Sequence, residues 1–283
     1  MKNERALVLG GGGITGIAWE SGVLAALIEN GMNISQIGKI FGTSAGAFVG
    51  AVLSNNQDMK AYYHYLNENK DPNEQTKLKK EVYEMWRQAY IQGGNNQENI
   101  GRLLGEMIDQ VQPVISMKER KKAIAKRLNG SKWTSQLVIT AINARTGQLE
   151  TINQQIGMDL IDSVAASGAV PGLWPHVTMN GKEYIDGGMV SSTNACLAKD
   201  FKQILIIAPL TQKIGKLPNV FDDEITLSNT SDVYTITPDE FSKSIIGDNI
   251  YDASVIIEVG NAGYEQGKRL AKEIKALMPE WLS

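Results

Sequence analysis

A Gly-x-Ser-x-Gly pentapeptide at residues 42–46 is the feature that most constrains how this chain folds. It lies between an apolar stretch and a run of small helix-forming residues. At a sharp turn from strand to helix, the central residue adopts strained backbone angles, and its neighbours must be small so that turn, helix and sheet can approach each other. Gly42, Ala45 and Gly46 meet that demand. The pattern therefore predicts a strand, a tight turn and a helix, with Ser44 at the turn as a candidate nucleophile.

Four consecutive glycines, residues 10–13, end a short apolar segment near the start of the chain. Glycine lets backbone amides approach a ligand closely, and a helix predicted over residues 17–29 points its positive end at the same place. The sequence therefore predicts an anion site. Two anions fit it: the pyrophosphate of a dinucleotide, or the oxyanion that forms when a serine attacks an ester carbonyl.

The same loop formally matches the dinucleotide-binding fingerprint, through Gly11, Gly13 and Gly16. That fingerprint also needs an acidic residue about 20 positions later, at the end of the second strand. Here the second predicted strand, near residues 39–41, ends in the Gly-x-Ser-x-Gly turn. An oxyanion site explains both motifs together. A dinucleotide- or phosphate-binding protein remains the alternative, and it explains only the loop.

A serine nucleophile needs a base, and the chain contains two histidines. His64 lies in a helix-like aromatic stretch, where a surface or packing role is the more usual one. His176 lies on a loop before a hairpin-like segment and is a minor candidate. Asp186 is the better candidate, because it ends a short strand and is followed by two glycines that keep its carboxylate accessible. Asp-Gly is also a common turn sequence, and a simple turn is the alternative.

Taken together, these motifs resemble those of the patatin-like phospholipase family. The residues that carry the resemblance occur in the order expected for that family: Gly11, Gly12, Gly13, Gly16, Gly42, Ser44, Gly46, Asp186, Gly187 and Gly188. Residues 165–171 and the Trp-Pro pair that follows them resemble the family's segment before the aspartate. The resemblance covers residues 5–188 directly.

The resemblance implies an α/β hydrolase that cleaves fatty-acyl esters of phospholipids or lysophospholipids through a Ser-Asp dyad instead of a triad. It implies that Ser44 is the nucleophile, that Asp186 is the base, and that the amides of Gly11, Gly12 and Gly13 form the oxyanion hole. Neither a metal nor an organic cofactor is implied. A non-catalytic relative that binds lipid for regulation is a further alternative.

Two positions depart from the family pattern. The family often has a basic residue where this chain has Thr15, so electrostatic help with an anionic head group is not expected from that position. The segment around residues 19–21 is about one residue longer than usual. Neither departure affects the dyad.

An aspartate base requires an apolar site. A carboxylate in water has a pKa of about 3.9, and partial burial raises that pKa and strengthens its hydrogen bond to a serine hydroxyl. Leu173, Trp174 and Ile185 are the predicted apolar walls. An acyl chain in the pocket would exclude water further.

Composition is consistent with a single large domain over residues 1–283, because 42% of the chain is hydrophobic. The net charge of −3 argues against a nucleic-acid-binding protein. The single cysteine, Cys196, excludes an internal disulfide and fits a reducing compartment. We predict no signal peptide and no membrane span, and therefore a cytoplasmic protein whose peripheral contact with a membrane surface is left open. The sequence predicts no oligomeric state.

Apolar runs alternate with segments of helical period, which favours a three-layer α/β sandwich with a largely parallel central sheet. The predicted strands are residues 6–9, 39–41, 136–143, 149–152, 183–185 and 203–208. A polar section over residues 55–132 is predicted to be an inserted helical cap. Residues 212–252 are predicted to be irregular surface, and residues 255–278 one or two helices.

Within the predicted cap, apolar residues recur at helical spacing over residues 82–90 and 100–111. Such stripes usually pack a helix against the rest of the protein, and that interpretation is favoured here. A lipid-facing lid is the alternative.

A strongly basic cluster spans residues 118–127. Most such clusters are solvated helix faces, although anionic lipids also attract them. In the last predicted helix, Gly260, Gly263 and Gly267 are predicted weak points, because glycine lowers helix propensity.

Overall fold

The structure of the protein, a computed structural model, describes residues 3–70, 78–113 and 115–282. In these ranges the strands are β1 Asn3–Leu9, β2 Lys39–Thr43, β3 Leu137–Asn143, β4 Leu149–Asn153, β5 Val177–Met179, β6 Lys182–Asp186, β7 Phe201–Ile207 and β8 Asp232–Ile236. The α-helices are α1 Gly13–Glu29, α2 Ala45–Ser54, α3 Met59–Glu68, α4 Lys80–Gly93, α5 Gln97–Gly105, α6 Met117–Arg127, α7 Leu160–Ser167, α8 Val220–Ser228, α9 Glu240–Ile246 and α10 Ile256–Leu277. Every predicted strand is present.

The strands form one sheet in the order β5-β6-β3-β2-β1-β7-β8, and β4 also pairs with β3. Strands β3, β2, β1, β7 and β8 run parallel, whereas β4 and β6 are antiparallel to β3, and β5 is antiparallel to β6. The sheet is therefore mixed, with a parallel centre. Its register places Thr43 opposite Thr140 and Asp186 opposite Ala141, so the ends of β2 and β6 lie at the same level of the sheet.

Alternate residues of β1 face two different cores. Leu7 and Leu9 pack in the larger core with residues of α1, α2, α3 and α10. Ala6 and Val8 pack in a smaller core with residues of α8. Full burial on both faces is typical of a central parallel strand. Helices cover both faces of the sheet, which confirms the predicted α/β sandwich.

The glycines of α10 lie where α10 packs closely on α1 and α3. A Cβ at Gly260 would lie 2.6 Å from the Tyr63 ring, and one at Gly263 would collide with the Trp19 carbonyl group. A Cβ at Gly267 would lie 2.8 Å from the Ala26 side chain. The close packing that these glycines permit acts against their cost of about 1 kcal/mol each in helix propensity, and that they are weak points stays a prediction.

The helices between residues 55 and 132 pack in two different apolar clusters. Residues 71–77 and 114 of this section lie outside the described residues. Met59, Tyr62 and Tyr63 of α3 belong to the larger core of the sandwich. Residues of α4 and α5 instead pack in a third apolar cluster, together with Trp174 and Ile185. The division of the chain into one domain with a cap stays a prediction.

Residues 212–252 were predicted to be irregular surface, and this prediction is wrong. They contain α8, β8 and α9. The elements are short, and β8 is an edge strand with mostly half-buried residues, so no long apolar run marks it. Asn219 begins α8 through a capping box with Asp222. The final predicted helix is present as α10. No helix in the described ranges combines the length and the apolar character needed to cross a membrane.

Candidate active site

Ser44 joins the end of β2 to the start of α2 in a sharp turn. Its φ of 53° and ψ of −112° lie in a strained region, which costs a non-glycine residue about 1–3 kcal/mol. A Cβ at Gly42 would lie 2.6 Å from the Gly46 carbonyl oxygen, and one at Gly46 would collide with the Leu9 carbonyl group of β1. Because the backbones approach this closely, the two glycines hold the turn against the sheet. Ser44 then lines a cavity at the carboxyl end of β2.

The Ser44 hydroxyl donates a hydrogen bond of 2.8 Å to Asp186 Oδ2. Asp186 ends β6, and its side chain is only 3% exposed. Its other oxygen, Oδ1, accepts a hydrogen bond of 2.6 Å from the Gly188 amide. A Cβ at Gly187 would lie 2.6 Å from the Thr140 hydroxyl, so only glycine fits there without a shift. The fold thus brings the candidate nucleophile and a carboxylate into direct contact.

Burial raises the pKa of Asp186 to about 7. The hydrogen bonds from Gly188 and Ser44 and the positive charge of Arg120 each lower that pKa, but their combined effect is smaller than the effect of burial. A carboxylate with a pKa near neutrality is a stronger base than an exposed aspartate. It is therefore suited to exchange a proton with a serine hydroxyl.

Arg120 is the buried member of the predicted basic cluster. It lies on α6, and its guanidinium carbon is 4.1 Å from the centre of the Trp174 ring. Both residues line a small second cavity that also reaches Ser44. The cluster is therefore divided: Lys118 and Lys122 face solvent, as predicted, whereas Arg120 turns toward the site.

Ser167 holds the backbone of the turn. Its hydroxyl oxygen accepts a hydrogen bond of 2.8 Å from the Ser44 amide, and the residue is fully buried at the end of α7. The sequence marks this serine only by its place in the small-residue run over residues 165–171. Its observed role is to position Ser44.

A buried polar group lies beneath the turn. The Asn194 amide nitrogen donates to the Thr43 hydroxyl at 3.1 Å and to the Gly187 carbonyl at 3.2 Å. The hydroxyls of Thr43 and Thr140 are 2.8 Å apart. These bonds tie the end of β2 to the loop that follows Asp186. No sequence motif marks them, because the residues lie far apart along the chain.

The amides of the glycine loop, residues 10–13, differ in whether they donate a hydrogen bond within the protein. The Gly10 amide donates to the Ile207 carbonyl at 3.0 Å, and the Gly11 amide donates to the Ser192 carbonyl at 2.7 Å. Within the part of the chain that the structure describes, no group accepts a hydrogen bond from the amides of Gly12 or Gly13. These glycines line the same cavity as Ser44 and begin α1.

Close contacts fix this loop in place. A Cβ at Gly12 would lie 2.6 Å from Pro209 Cβ. Gly13 has a φ of +60°, and a Cβ there would lie 2.5 Å from the Ile250 carbonyl oxygen. Thr15, the position that lacks a basic residue, donates its hydroxyl to the Gly12 carbonyl at 3.3 Å.

Glu20 supports the loop from inside α1. The Gly10 amide, which also donates to the Ile207 carbonyl, donates a hydrogen bond of 2.9 Å to Glu20 Oε1. The side chain is fully buried, and burial raises the pKa of Glu20 well above its ordinary value, although the bond from Gly10 lowers it. The segment that is one residue longer than usual therefore carries a buried contact to the glycine loop.

A cavity of about 660 Å³ opens beside Ser44. Its apolar walls come from α4, from the segments after α7 and after β6, and from the loop before α8. They include Trp86, Tyr90, Val170, Met189 and Ile214. Two hydrogen bonds fix α4 there: the Trp86 indole donates to the Pro171 carbonyl at 3.0 Å, and the Tyr90 hydroxyl donates to the Met189 carbonyl at 3.0 Å.

The predicted walls are in part wrong. Leu173 and Ile185 pack in the apolar cluster beneath the site and line neither cavity at Ser44, because their side chains point into that cluster. Trp174 lines the smaller cavity, beside Arg120.

Neither histidine contacts the dyad. His176 Nε2 lies 3.4 Å from Glu183 Oε1, on a different cavity from Ser44. The His64 ring stacks on Tyr63, with ring centres 4.8 Å apart. Among the described residues, no three acidic, histidine or cysteine side chains are grouped as a metal site would need.

Comparisons with known proteins bear on the fold and on the family of this chain. Among solved structures, VipD from Legionella pneumophila has a TM-score of 0.50 and 14% identity, over 96% of this chain and 67% of VipD. ExoU from Pseudomonas aeruginosa, in its complex with SpcU, has a TM-score of 0.43 and 16% identity, over 100% of this chain. The chain spans 53% of the ExoU length. No curated protein matches the chain by sequence.

The likeness to VipD shows the fold alone, because the identity is so low. A family model gives the more specific match. The model for the patatin-like phospholipase domain matches residues 7–198, which include the glycine loop, the Ser44 turn and Asp186. The chain therefore belongs to the patatin-like phospholipase family.

Proposed function

We propose that this protein is a serine acyl hydrolase that cleaves fatty-acyl esters of phospholipids or lysophospholipids. The observation that carries the proposal is the 2.8 Å hydrogen bond from the Ser44 hydroxyl to Asp186, at a strained turn beside two unused glycine amides. Membership of the family supports lipid acyl hydrolysis in general. The dyad and the substrate are our proposals.

In the proposed reaction, Ser44 Oγ attacks the ester carbonyl carbon as its proton passes to Asp186 Oδ2. The tetrahedral intermediate then breaks its bond to the alcohol oxygen, and the proton returns from Asp186 to that oxygen as the alcohol leaves. An acyl-enzyme on Ser44 remains. Water attacks it with Asp186 again as the base, and the fatty acid is released as Ser44 regains its proton.

The amides of Gly12 and Gly13 are the proposed oxyanion donors. They lie at the positive end of α1 and have no acceptor among the described residues, so they are available for the oxygen that becomes negative in the transition state. The Gly11 amide already donates to Ser192, and the proposal therefore does not use it. A Cβ at Gly11 would lie 3.5 Å from Ser44 Cβ, at ordinary contact distance.

The acyl chain is proposed to occupy the 660 Å³ cavity. Trp86 and Met189 offer an apolar lining, and expulsion of water from them stabilises the bound chain by roughly 25 cal/mol per Å². We also propose that α4 and the loop before α8 act together as the cap of the site. The expected location remains cytoplasmic.

Hydrolysis of a graded panel tests the function. We would measure release of p-nitrophenol from esters of increasing chain length, and of fatty acid from phospholipid and lysophospholipid, with native protein and Ser44→Ala. Turnover that rises with chain length and is lost in Ser44→Ala supports the proposal. A folded native protein without Ser44-dependent turnover would contradict it. Thermal-shift titrations with NAD and ATP then separate a nucleotide-binding protein from a lipid-binding one.

A further inference from the structure

Helix α4 has a buried apolar face and a second face that carries two exposed apolar side chains. The first face is buried and includes Val82 and Ala89. The second consists of Tyr83, Arg87 and Ile91, which recur every four residues and therefore form one stripe along the helix. Tyr83 and Ile91 are each 60% exposed. All three residues of this stripe line the outer part of the cavity that leads to Ser44.

The opposite side of the cavity opening is formed by the loop before α8. Lys213, Ile214 and Lys216 of this loop line the same cavity. The loop lies against α4, because a Cβ at Gly215 would lie 3.2 Å from Tyr90 Cβ. We call Tyr83, Arg87, Ile91, Lys213 and Lys216 the pocket rim.

The charge of the pocket rim is weakly positive. Arg87 pairs with Glu84 at 2.6 Å, and Lys213 pairs with Asp222 at 2.9 Å. Lys216 adds one positive charge to these two neutral pairs. The rim thus combines two exposed apolar side chains with cations.

We propose that the pocket rim docks on a phospholipid bilayer that contains anionic lipid. Tyr83 and Ile91 enter the boundary between head groups and acyl chains, and Lys216 meets an anionic head group. A tyrosine suits this boundary, because its ring is apolar and its hydroxyl is polar. The cavity then opens directly on the membrane.

A lipid surface is favoured over a protein partner by the position of the rim. It surrounds the opening of an apolar cavity that leads to Ser44, and the family acts on lipids. A protein seated on the rim would close that opening. The inference rests on the proposed function, and it identifies the substrate as lipid within a bilayer.

Vesicle sedimentation tests the docking in a form that needs no turnover. All proteins carry Ser44→Ala, and the vesicles are phosphatidylcholine alone or mixed with phosphatidylglycerol. The rim variant is Tyr83→Ser with Ile91→Ser. The matched control is Phe241→Ser with Leu277→Ser, two residues that are each 63% exposed and line no part of the cavity.

We expect the rim variant to bind mixed vesicles at least tenfold more weakly, because each side chain loses its burial in the lipid boundary. The control variant is expected to stay within about twofold. Lys216→Gln is expected to weaken binding about fivefold on mixed vesicles only, since one cation near an anionic surface contributes that factor. Tyr83→Phe with Ile91→Leu is expected to retain binding, which shows that apolar character is what matters.

The inference would be overturned if the parent protein did not bind vesicles, or if the rim and control variants lost vesicle binding equally. Unchanged vesicle binding by a rim variant whose circular dichroism is native would also overturn it, and so would self-association that depends on the rim. The last outcome, measured by light scattering without vesicles, would make the rim an interface between copies of this chain. Failure of the proposed function is distinct, because it shows as absent turnover in the ester panel while vesicle binding persists.

Discussion

The floor and the pocket rim of the site are built in different ways. We use "floor" for Ser44, Asp186 and residues 10–13. The floor lies on strand ends and a helix start, where the backbone at Gly12 and Gly13 approaches its neighbours so closely that glycine is required. The rim consists of exposed side chains on α4 and a loop. The comparison teaches that the atoms proposed to react are fixed by the sheet, whereas contact with lipid is assigned to a surface that substitution can change without moving the sheet.

Asp186→Asn is expected to have the largest effect, because the floor then lacks its proposed base. An amide cannot accept the Ser44 proton, so kcat is expected to fall by about 10²- to 10⁴-fold. The change keeps the side-chain shape and an acceptor for the Gly188 amide. Steady-state kinetics on a soluble short-chain ester measure it. Retained kcat would exclude Asp186 as the base.

The same variant makes a prediction for stability. Burial raises the pKa of Asp186 from 3.8 to about 7 in the folded protein, so between those values the folded state holds a proton that the unfolded state has lost. This group therefore stabilises the fold at low pH, and its contribution is lost as the pH rises toward 7. We expect the Tm of Asp186→Asn, relative to native protein, to increase between pH 4 and pH 8. A constant difference would contradict the raised pKa.

Gly12→Ala compared with Gly11→Ala tests the division within the glycine loop. At Gly12 a Cβ would lie 2.6 Å from Pro209 and displace a proposed oxyanion donor, whereas at Gly11 its nearest neighbour is Ser44 Cβ at 3.5 Å. We expect Gly12→Ala to lower kcat by about 10²- to 10³-fold and Gly11→Ala to cost much less. Thermal melts identify loss of fold. Equal effects would show that the two amides do not differ in role.

Glu20→Leu is expected to have a smaller effect through the loop. It leaves the Gly10 amide with the Ile207 carbonyl as its one acceptor, and the loop loses one hydrogen bond, which contributes about 0.5–1.5 kcal/mol. We expect kcat to fall about tenfold with little change in KM, and Glu20→Gln to restore it, because glutamine keeps the acceptor oxygen. Similar kinetics for both variants would show that Glu20 does not position the loop.

His176→Ala is expected to have the smallest effect. The residue contacts Glu183 and lies outside the cavities at Ser44, so activity should stay within about tenfold of native. A loss as large as that of Asp186→Asn would favour a triad in place of a dyad.

The sequence predicted the floor better than the rim for a physical reason. Where backbone segments pack closely, the sequence must have glycine at fixed distances from the serine and the aspartate. Such motifs can be recognised in a sequence without a structure. The partners that hold the floor are not readable in this way. Ser167 and Asn194 reach Ser44 and Thr43 from distant parts of the chain, through hydrogen bonds of a kind that polar residues make in many folds.

In the rest of the fold too, the sequence predicted buried elements better than exposed ones. The apolar runs of β1 and β3 predicted buried strands, because both faces of those strands are covered. Strand β8 lies at the edge of the sheet, and its half-buried residues gave no such signal. The stripe of Tyr83, Arg87 and Ile91 was hidden because the buried stripe of α4 dominates its apolar pattern.

Labelling with a fluorophosphonate tests the central claim most directly, since the reagent bonds covalently to an activated serine. We predict an adduct on Ser44, located by peptide mass spectrometry, that forms at a rate rising with pH through about 7, as Asp186 loses its proton. Asp186→Asn is predicted to label at least 10²-fold more slowly. An adduct on another residue, or equal labelling rates with and without the Asp186 carboxylate, would contradict the account.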